Sequence, residues 1–304
     1  MINMNKKIFD NEKGSAMILV ALGMAVLLGL VSLVTDTGLI FVSQAKLVNA
    51  VDAAALAGAQ ELPGRPDLAV TVAENYAVTN GVNAHDLDIE VMNENKAIRV
   101  QAERNVNLLF AKILGINTGF VEHEATAQVG PIAATEGVVP LGIQEQELNF
   151  GEQYTLKVGA GESDTGWFGA LALGGPGAST YEENLTYGYP EVISIGDILD
   201  VQTGNISNPT KRAIDFRLLA CNHTPYCTVD HFQRDCARLV KIPIIEKINA
   251  RDVKVVGFGV LLLDDVTGQG NDSYVKGRFV QTILPGEISG EAENFGVLGV
   301  KLIE

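Results

Sequence analysis

The sequence predicts an α+β protein with a long N-terminal transmembrane helix, a small α+β unit and a mainly-β C-terminal domain. An uncharged apolar run occupies residues 14–35, and mixed helix and strand patterns occupy 63–130. Short strands separated by Gly-rich turns occupy 131–304. We therefore expect three domains, with bounds 1–62, 63–130 and 131–304.

The charge is distributed unevenly along the chain. The 304 residues include 22 Lys and Arg against 37 Asp and Glu, for a net charge of −15. The first 60 residues hold four of each sign, so the later 244 residues carry the whole excess. This acidity excludes nucleic acid as a partner, because its binders need clustered basic side chains. An apolar content of 47% excludes a wholly disordered chain.

The N-terminal apolar run is long enough to cross a membrane. No charge lies among the 22 residues between Lys13 and Asp36, and a helix of that length spans about 33 Å. A cleaved secretory signal, the alternative, has a shorter apolar region. Lys6, Lys7 and Lys13 precede the run, which predicts a single-pass anchor with a cytoplasmic N-terminus and an extracellular body. Residues 14–35 are thus expected to contact the lipid bilayer.

The helix is expected to continue beyond the membrane to Gln60. The segment from Leu39 to Gln60 is rich in alanine and contains no helix breaker before Pro63-Gly64. Its small side chains allow another helix or a sheet to approach closely. Two interpretations stay open: a stalk with an alanine-rich packing face, or a helix that packs against copies of itself or related subunits.

A known family shares this arrangement. The uncharged helix is followed by VTDTG at Val34–Gly38 and by NAVDAAALAGA at Asn49–Ala59. The order closely resembles the N-terminus of the TadE/TadG-like (Tad or Flp) pilus-assembly family, over Glu12 to about Leu62. The resemblance implies a minor-pilin-like or pseudopilin-like subunit whose partners are other pilus or pilus-assembly subunits, or further copies of this chain, in a cell-surface filament. The residues it assigns to helix packing are Asp36, Asn49, Asp52, Ala53, Ala54, Leu56, Ala57 and Gly58.

The resemblance also implies a processing site. Some family members are cut after a glycine, and Gly14-Ser15 is the matching bond. Many prepilins carry glutamate at the fifth mature position, where this sequence has Leu19. Cleavage and a permanent anchor therefore both stay open. Asp36 and Asp52 have two interpretations each: the helix leaves the apolar slab there, or the carboxylate pairs with a neighbouring subunit's amine.

The first soluble region is predicted to be helix, strand, strand, helix, strand. Pro66 suits the first helical turn and Asn80-Gly81 its end. The predicted strands and second helix are Leu87–Met92, Ala97–Ala102, the helix Val106–Leu114, and Phe120–Val129. Pilin-type subunits have this general layout.

The second soluble region is predicted to be a β-sandwich or barrel with one helical insertion at about Asn208–Leu219. An acidic loop at 264–272 is expected to be the solvated tip of a long hairpin. The predicted strands are Val138–Ile143, Tyr154–Val158, Trp167–Leu173, Val192–Ile195, Arg238–Ile244, Val253–Leu263 and Tyr274–Leu284.

All three cysteines and two of the four histidines fall within sixteen residues, as Cys221, His223, Cys227, His231 and Cys236. A Cys227–Cys236 or Cys221–Cys236 disulfide suits an exported domain and is favoured. Zinc bound by three or four of the five groups is a weaker alternative, because the spacing matches no standard finger. Packing with no bond is the third possibility. We expect no metal and no cofactor.

No catalytic motif is recognisable. The sequence lacks Gly-x-Ser-x-Gly, His-Glu-x-x-His and P-loop patterns. We therefore expect a non-enzymatic, membrane-anchored pilus structural or assembly subunit. The alternatives are a surface adhesin that uses the same anchor and, less favoured, a metal- or thiol-dependent surface enzyme at the Cys/His cluster.

Overall fold

The computed structural model describes residues 12–157, 162–163, 166–202, 206–268 and 273–303. The chain forms two compact units, of which the first ends at Thr126 and the second comprises Ala127–Ile303. The helices are α1 (Glu12–Ala59), α2 (Pro66–Thr79), α3 (Ala178–Tyr187) and α4 (Ser207–Ala220), with short 3₁₀ turns at Ala84–Asp86 and Ala111–Leu114.

Fifteen strands lie among the described residues. In chain order they are β1 (Leu87–Met92), β2 (Ala97–Asn107), β3 (Thr118–Thr135), β4 (Leu141–Gln144), β5 (Gln153–Lys157), β6 (Glu162–Ser163), β7 (Gly166–Ala170), β8 (Ile193–Ser194), β9 (Ile198–Asp200), β10 (Leu239–Lys247), β11 (Asp252–Thr267), β12 (Tyr274–Val280), β13 (Thr282–Ile283), β14 (Glu287–Ile288) and β15 (Val297–Ile303).

The predicted fold class is confirmed. A single 48-residue helix, α1, begins the described chain, a mixed α+β region follows, and the C-terminal part is mainly β. At 1.5 Å per residue, α1 is about 72 Å long. Its second half contains no proline and only two glycines, Gly38 and Gly58, which agrees with the alanine-rich sequence.

The first unit packs helices on a small antiparallel sheet. Strand β1 pairs with β2 through a tight turn at Asn93–Asn95, and β2 neighbours β3. Helix α2 begins with Pro66 and buries one face of alanines, Ala69, Ala73 and Ala77, at helical spacing. Both α1 and α2 pack against this sheet.

The predicted helix at Val106–Leu114 is wrong. Strand β2 continues to Asn107, and only Ala111–Leu114 forms a 3₁₀ turn. Val106 and Leu108 are buried and Asn107 between them is exposed, which is the alternation of a strand. The turn that follows is held by contacts from α1 (described below), so tertiary contacts override a helical pattern here.

The second unit contains a large curved sheet. Its strand order is β5-β12-β11-β10-β4-β7-β6, and β9 pairs with β11. Strand β5 at one end approaches β6 and β7 at the other, so the sheet curls toward itself. The predicted hairpin exists as the antiparallel pair β11 and β12. The sandwich itself stays a prediction.

Both faces of the large sheet are buried. Along β11, Leu261 and Leu263 belong to one apolar core and Val260 and Leu262 to another. Burial on two faces explains the nearly continuous apolar sequence of this strand. Helices α3 and α4 cover the first face, where Tyr181 and Thr210 share a buried hydrogen bond of 3.1 Å. Helix α3 was not predicted from the sequence.

The acidic hairpin loop is only partly described, because residues 269–272, including Asn271 and Asp272, lie outside the described residues. Asp264 accepts hydrogen bonds from Gln153 Nε2 at 3.1 Å and from Arg278 Nε at 3.0 Å. Its carboxylate is therefore part of the sheet's own polar contacts.

Candidate functional site

The first half of α1 is apolar and exposed on every side. Thirteen large apolar side chains between Met17 and Val34 are 55–72% exposed. A Cβ added at Gly23 or Gly29 would meet nothing within 4 Å. An uncovered apolar surface of this extent marks an interaction site, because soluble monomers rarely expose one. Residues Ala16–Ala59 have the length and composition of a membrane span. Residues 1–11, including Lys6 and Lys7, lie outside the description.

The second half of α1 is packed within its own unit. Leu47, Ala50, Val51 and Ala55 are fully or almost fully buried, and α1 contacts α2 and β2. Among the residues assigned to helix packing, Asp36, Ala54, Ala57 and Gly58 are buried, Asp52, Ala53 and Leu56 are half-buried, and Asn49 is exposed.

Gly58 is the tightest point of this packing. A Cβ at Gly58 would lie 2.8 Å from the Ala69 carbonyl oxygen, 2.9 Å from Ile98 Cδ1 and 3.0 Å from Ala73 Cβ. Helix α2 can approach α1 this closely only because position 58 has no side chain. The buried small residues near the C-terminal end of α1 therefore serve contacts inside the chain.

Asp36 binds the chain's own backbone. Its Oδ1 accepts hydrogen bonds from the N–H of Leu109 (2.8 Å) and Phe110 (3.3 Å), and its Oδ2 from Phe110 (3.1 Å) and Ala111 (2.7 Å). Three successive N–H groups at the start of a 3₁₀ turn converge on one carboxylate, as at a helix N-terminus. Asp36 thus fastens residues 109–111 to α1 at the end of the exposed apolar half.

We predict that Asp36→Ala releases this segment. The three N–H groups lose their shared acceptor, so the amides of Leu109, Phe110 and Ala111 should exchange with deuterium roughly tenfold faster or more. Hydrogen exchange measured by mass spectrometry checks this. Thr37→Ala, a change at the exposed neighbour, is the control. Unchanged exchange at 109–111 in Asp36→Ala would contradict the assignment.

Asp52 also has a partner in its own unit. Its Oδ1 lies 3.0 Å from Nε2 of His123 on β3, and Gln44 of α1 donates to the Glu122 carbonyl at 3.0 Å. These contacts attach β3 along the packed half of α1. Gly14 and Ser15 lie in the first turn of α1.

An apolar loop precedes β3. Its side chains are exposed although they are large and apolar, with Ile113 at 83% and Leu114 at 82%. The loop lies beside Asp36, because residues 109–111 bind that carboxylate. Strand β3 then starts close to Ile40 of α1. A Cβ added at Gly119 would lie only 2.9 Å from Ile40 Cδ1. The exposed apolar residues of the loop and its flanks are Leu109, Phe110, Ile113, Leu114, Ile116 and Phe120.

Four of the five clustered Cys and His residues meet in the second unit. One ligand atom from each of Cys221, His223, Cys227 and Cys236 lies within 4.8 Å of the others. Cys236 Sγ is 3.5 Å from Cys221 Sγ, and His223 Nδ1 is 3.5 Å from Cys227 Sγ and 3.8 Å from Cys221 Sγ. All three thiols are free and buried. His231 is exposed and outside the group.

Buried arginines hold the backbone that carries this cluster. Arg238 donates to the Cys227 carbonyl at 2.8 Å and stacks on Tyr226, with its guanidinium carbon 4.4 Å from the ring centroid. Arg217 on α4 donates to the Ala237 carbonyl at 2.8 Å. Since Arg217 and Arg238 are under 9% exposed, these hydrogen bonds fix the loop from its inner side.

The cluster favours a thiolate at one cysteine. Burial raises the pKa of the Cys221 thiol, but hydrogen bonds from the His223 ring and the Cys227 N–H outweigh this and hold that pKa at about 6. Burial raises the pKa of the Cys236 thiol to about 12. Three thiols and an imidazole in mutual reach can ligate a soft metal ion or, after oxidation, form a disulfide.

Residues 14–61 match a family model described as putative Flp pilus-assembly TadE/G-like. This TadE/G-like segment agrees with the resemblance derived from the sequence. It covers nearly all of α1, including Gly14-Ser15, Asp36 and Gly58, and ends before α2. Neither the curated proteins nor the solved structures contain a match to the chain. The Cys/His cluster lies outside the TadE/G-like segment.

An apolar N-terminal helix within a TadE/G-like segment is consistent with a membrane-anchored, pilus-related subunit. Sequence reasoning missed the backbone groups at 109–111 that bind Asp36, because a backbone N–H donor leaves no residue signature. It also missed Asp235, whose carboxylate lies 3.5 Å from His223 Nε2. The sequence feature that could have identified Asp235 was its position within the Cys/His run.

Proposed function

We propose that this chain is a single-pass membrane subunit of a Tad-type pilus, acting in the assembly or structure of the filament, with an extracellular body. The observation that carries the proposal is the exposed apolar half of α1 within the TadE/G-like segment. Since much of the other half of α1 packs within its own unit, the longest continuous apolar surface that α1 offers to lipid or to another subunit is the stretch up to Asp36.

The division of α1 supports membrane anchoring. A bilayer core of about 30 Å needs some 20 apolar residues, which the stretch 14–35 supplies before the first charge. The buried carboxylate of Asp36 then marks where the chain's own polar contacts begin. Asp36 satisfies its oxygens with backbone N–H groups, which lowers the cost of a charge near the edge of the apolar slab.

The apolar loop at 109–116 extends the membrane contact. Asp36 fixes the loop at the level where α1 leaves the apolar slab, and Lys112 lies among exposed Leu and Ile side chains. Apolar side chains beside a basic residue suit the interface between headgroups and acyl chains. We propose that Ile113 and Leu114 insert into the outer part of the bilayer beside α1.

A tryptophan at position 113 should report this insertion. In a Trp167→Phe background, which removes the single natural tryptophan, the fluorescence of Ile113→Trp in lipid vesicles should be quenched by brominated acyl chains. Leu219→Trp is the matched control, since Leu219 on α4 is equally exposed at 85%. Equal quenching at the two positions, or none at position 113, would contradict the proposal.

Purified filaments and membranes from the native cell test the function. Mass spectrometry of sheared pili and of membrane fractions should find the chain in at least one, and N-terminal sequencing should give either Ser15 or Met1 as the first residue. A start at Ser15 supports pilin-type processing and a start at Met1 a permanent anchor. A chain recovered only as a soluble protein would overturn the proposal.

The proposal includes no catalytic step. The main alternative function is an adhesin that uses the same anchor. In that case, cells that lack the chain would lose adherence but keep an unchanged number of pili. A surface enzyme at the Cys/His cluster would need an accessible nucleophile or an open metal position, whereas the three thiols are under 9% exposed.

A further inference from the structure

We propose that Cys221, His223, Cys227 and Cys236 form a structural zinc site in the second unit. This inference is independent of the proposed pilus function. It rests on three observations: the spacing of the ligand atoms, the carboxylate beside the histidine, and the near absence of regular pairing in the loop that carries the ligands.

The ligand spacing fits tetrahedral zinc. With zinc–sulfur bonds near 2.3 Å and zinc–nitrogen bonds near 2.0 Å, neighbouring sulfurs lie about 3.8 Å apart and sulfur–nitrogen pairs about 3.5 Å apart. Three of the six separations are 3.5 Å for Cys236 Sγ to Cys221 Sγ, and 3.5 and 3.8 Å for His223 Nδ1 to the sulfurs of Cys227 and Cys221. All four ligand atoms lie within 4.8 Å of one another. Three sulfurs and one nitrogen are a ligand set that selects zinc.

The histidine is oriented as a metal ligand. Its Nδ1 faces the sulfurs and its Nε2 lies 3.5 Å from Asp235 Oδ1. A ligating imidazole commonly donates its second N–H to a carboxylate, which fixes the tautomer and the ring orientation. Asp235 is itself 84% exposed, so no packing role accounts for its position.

The loop needs a cross-link of this kind. Between the end of α4 at Ala220 and the start of β10 at Leu239, the only regular pairing in this fully described stretch is the bridge Thr228–His231. A metal bound at both ends and the middle of the loop would fix its course. The site has four protein ligands, as structural zinc sites do, and leaves no position for a substrate.

A disulfide explains less of the geometry. Bonding Cys221 to Cys236 would use two of the four groups. It would give no reason for His223 Nδ1 to face Cys227 or for Nε2 to face Asp235. A disulfide is nevertheless the competing outcome in an oxidising exterior, and the experiment distinguishes the two.

Metal analysis of the full chain tests the proposal. The chain is purified in detergent without added metal or chelator, its zinc is measured by mass spectrometry, and its free thiols are counted after denaturation with a chelator. We expect about one zinc ion per chain and three free thiols. Replacing zinc with Co²⁺ should give the visible absorption of tetrahedral cobalt with thiolate ligands. A metal-free chain with one thiol and one disulfide would overturn the proposal.

Variants separate a built site from adventitious metal. His223→Ala and Cys227→Ser should lose the zinc, whereas His231→Ala should retain it. Because a ligand variant can also unfold, Asp235→Asn provides the decisive change at an exposed position, and Asp230→Asn, also exposed, is its control. We expect Asp235→Asn to weaken zinc affinity about 10- to 100-fold in a chelator competition. Equal affinity in the two Asn variants, or equal zinc content in all variants, would refute the site.

Discussion

Gly58→Leu is expected to disrupt the first unit. A side chain at this position would enter space already filled by the Ala69 carbonyl oxygen at 2.8 Å and by Ile98 Cδ1 at 2.9 Å. Since the nearest atom is backbone, α2 must move away from α1 as a whole. We expect the free energy of unfolding of this unit to fall by about 3 kcal/mol or more, the upper range for overpacking. Faster hydrogen exchange of the α2 amides would report the loss.

Gly38→Ala provides the matched control. Gly38 lies on the same helix, but a Cβ there would meet nothing within 4 Å. Alanine is a better helix former than glycine by about 1 kcal/mol, so this variant should be neutral or slightly more stable. If Gly58→Leu exchanged like the natural chain, the close packing of α1 on α2 would be refuted.

The double substitution Met24→Asp and Leu27→Asp is expected to abolish membrane anchoring. Both side chains are more than half exposed and lie near the middle of the uncharged run. Each carboxylate at the centre of a membrane helix costs about 2.5–3.5 kcal/mol, so the pair makes insertion about 5–7 kcal/mol less favourable. Flotation of membranes in a density gradient should show the natural chain at the top and the variant at the bottom.

Phe41→Asp with Val42→Asp is the control for position. These residues are similarly exposed, at 73% and 50%, but lie beyond Asp36. The chain with this pair should still float with the membranes. A Met24→Asp/Leu27→Asp chain that floated as well would show that residues 14–35 do not carry the anchor.

The helical N-terminus could be predicted from the sequence because its signals are local. An uncharged run, alanine-rich continuation and a Pro63-Gly64 stop determine a helix without reference to distant contacts. The partner of that helix could not be predicted in the same way. Small residues at Ala54, Ala57 and Gly58 allow close approach, but whether another subunit or α2 occupies the space depends on the fold of the whole unit.

Elements that depend on distant contacts were the ones missed. The run at 106–114 has apolar residues at helical spacing, yet β2 extends into it and Asp36, more than 70 residues earlier, binds its backbone. Helix α3 was missed because Thr and Tyr lower its helix propensity and Gly174–Gly177 precede it as a turn. Its formation follows from packing of Tyr181 and Leu185 in the core.

The sequence shows that Cys and His residues are concentrated in one segment, but it does not show how they are arranged in space. Both His223 and His231 lie close to the cysteines in the sequence. The spacing therefore does not show which histidine joins the cluster. The fold selects His223, because its ring is turned toward the sulfurs while His231 lies on the surface. Sequence spacing alone identifies a metal site only when it matches a known finger.

Counting surface pili tests the central claim most directly. Cells that lack this chain should carry few or no pili by electron microscopy, and the natural gene should restore them, whereas the Met24→Asp/Leu27→Asp form should not. A normal number of pili in the cells without the chain would contradict its assignment as a pilus assembly or structural subunit.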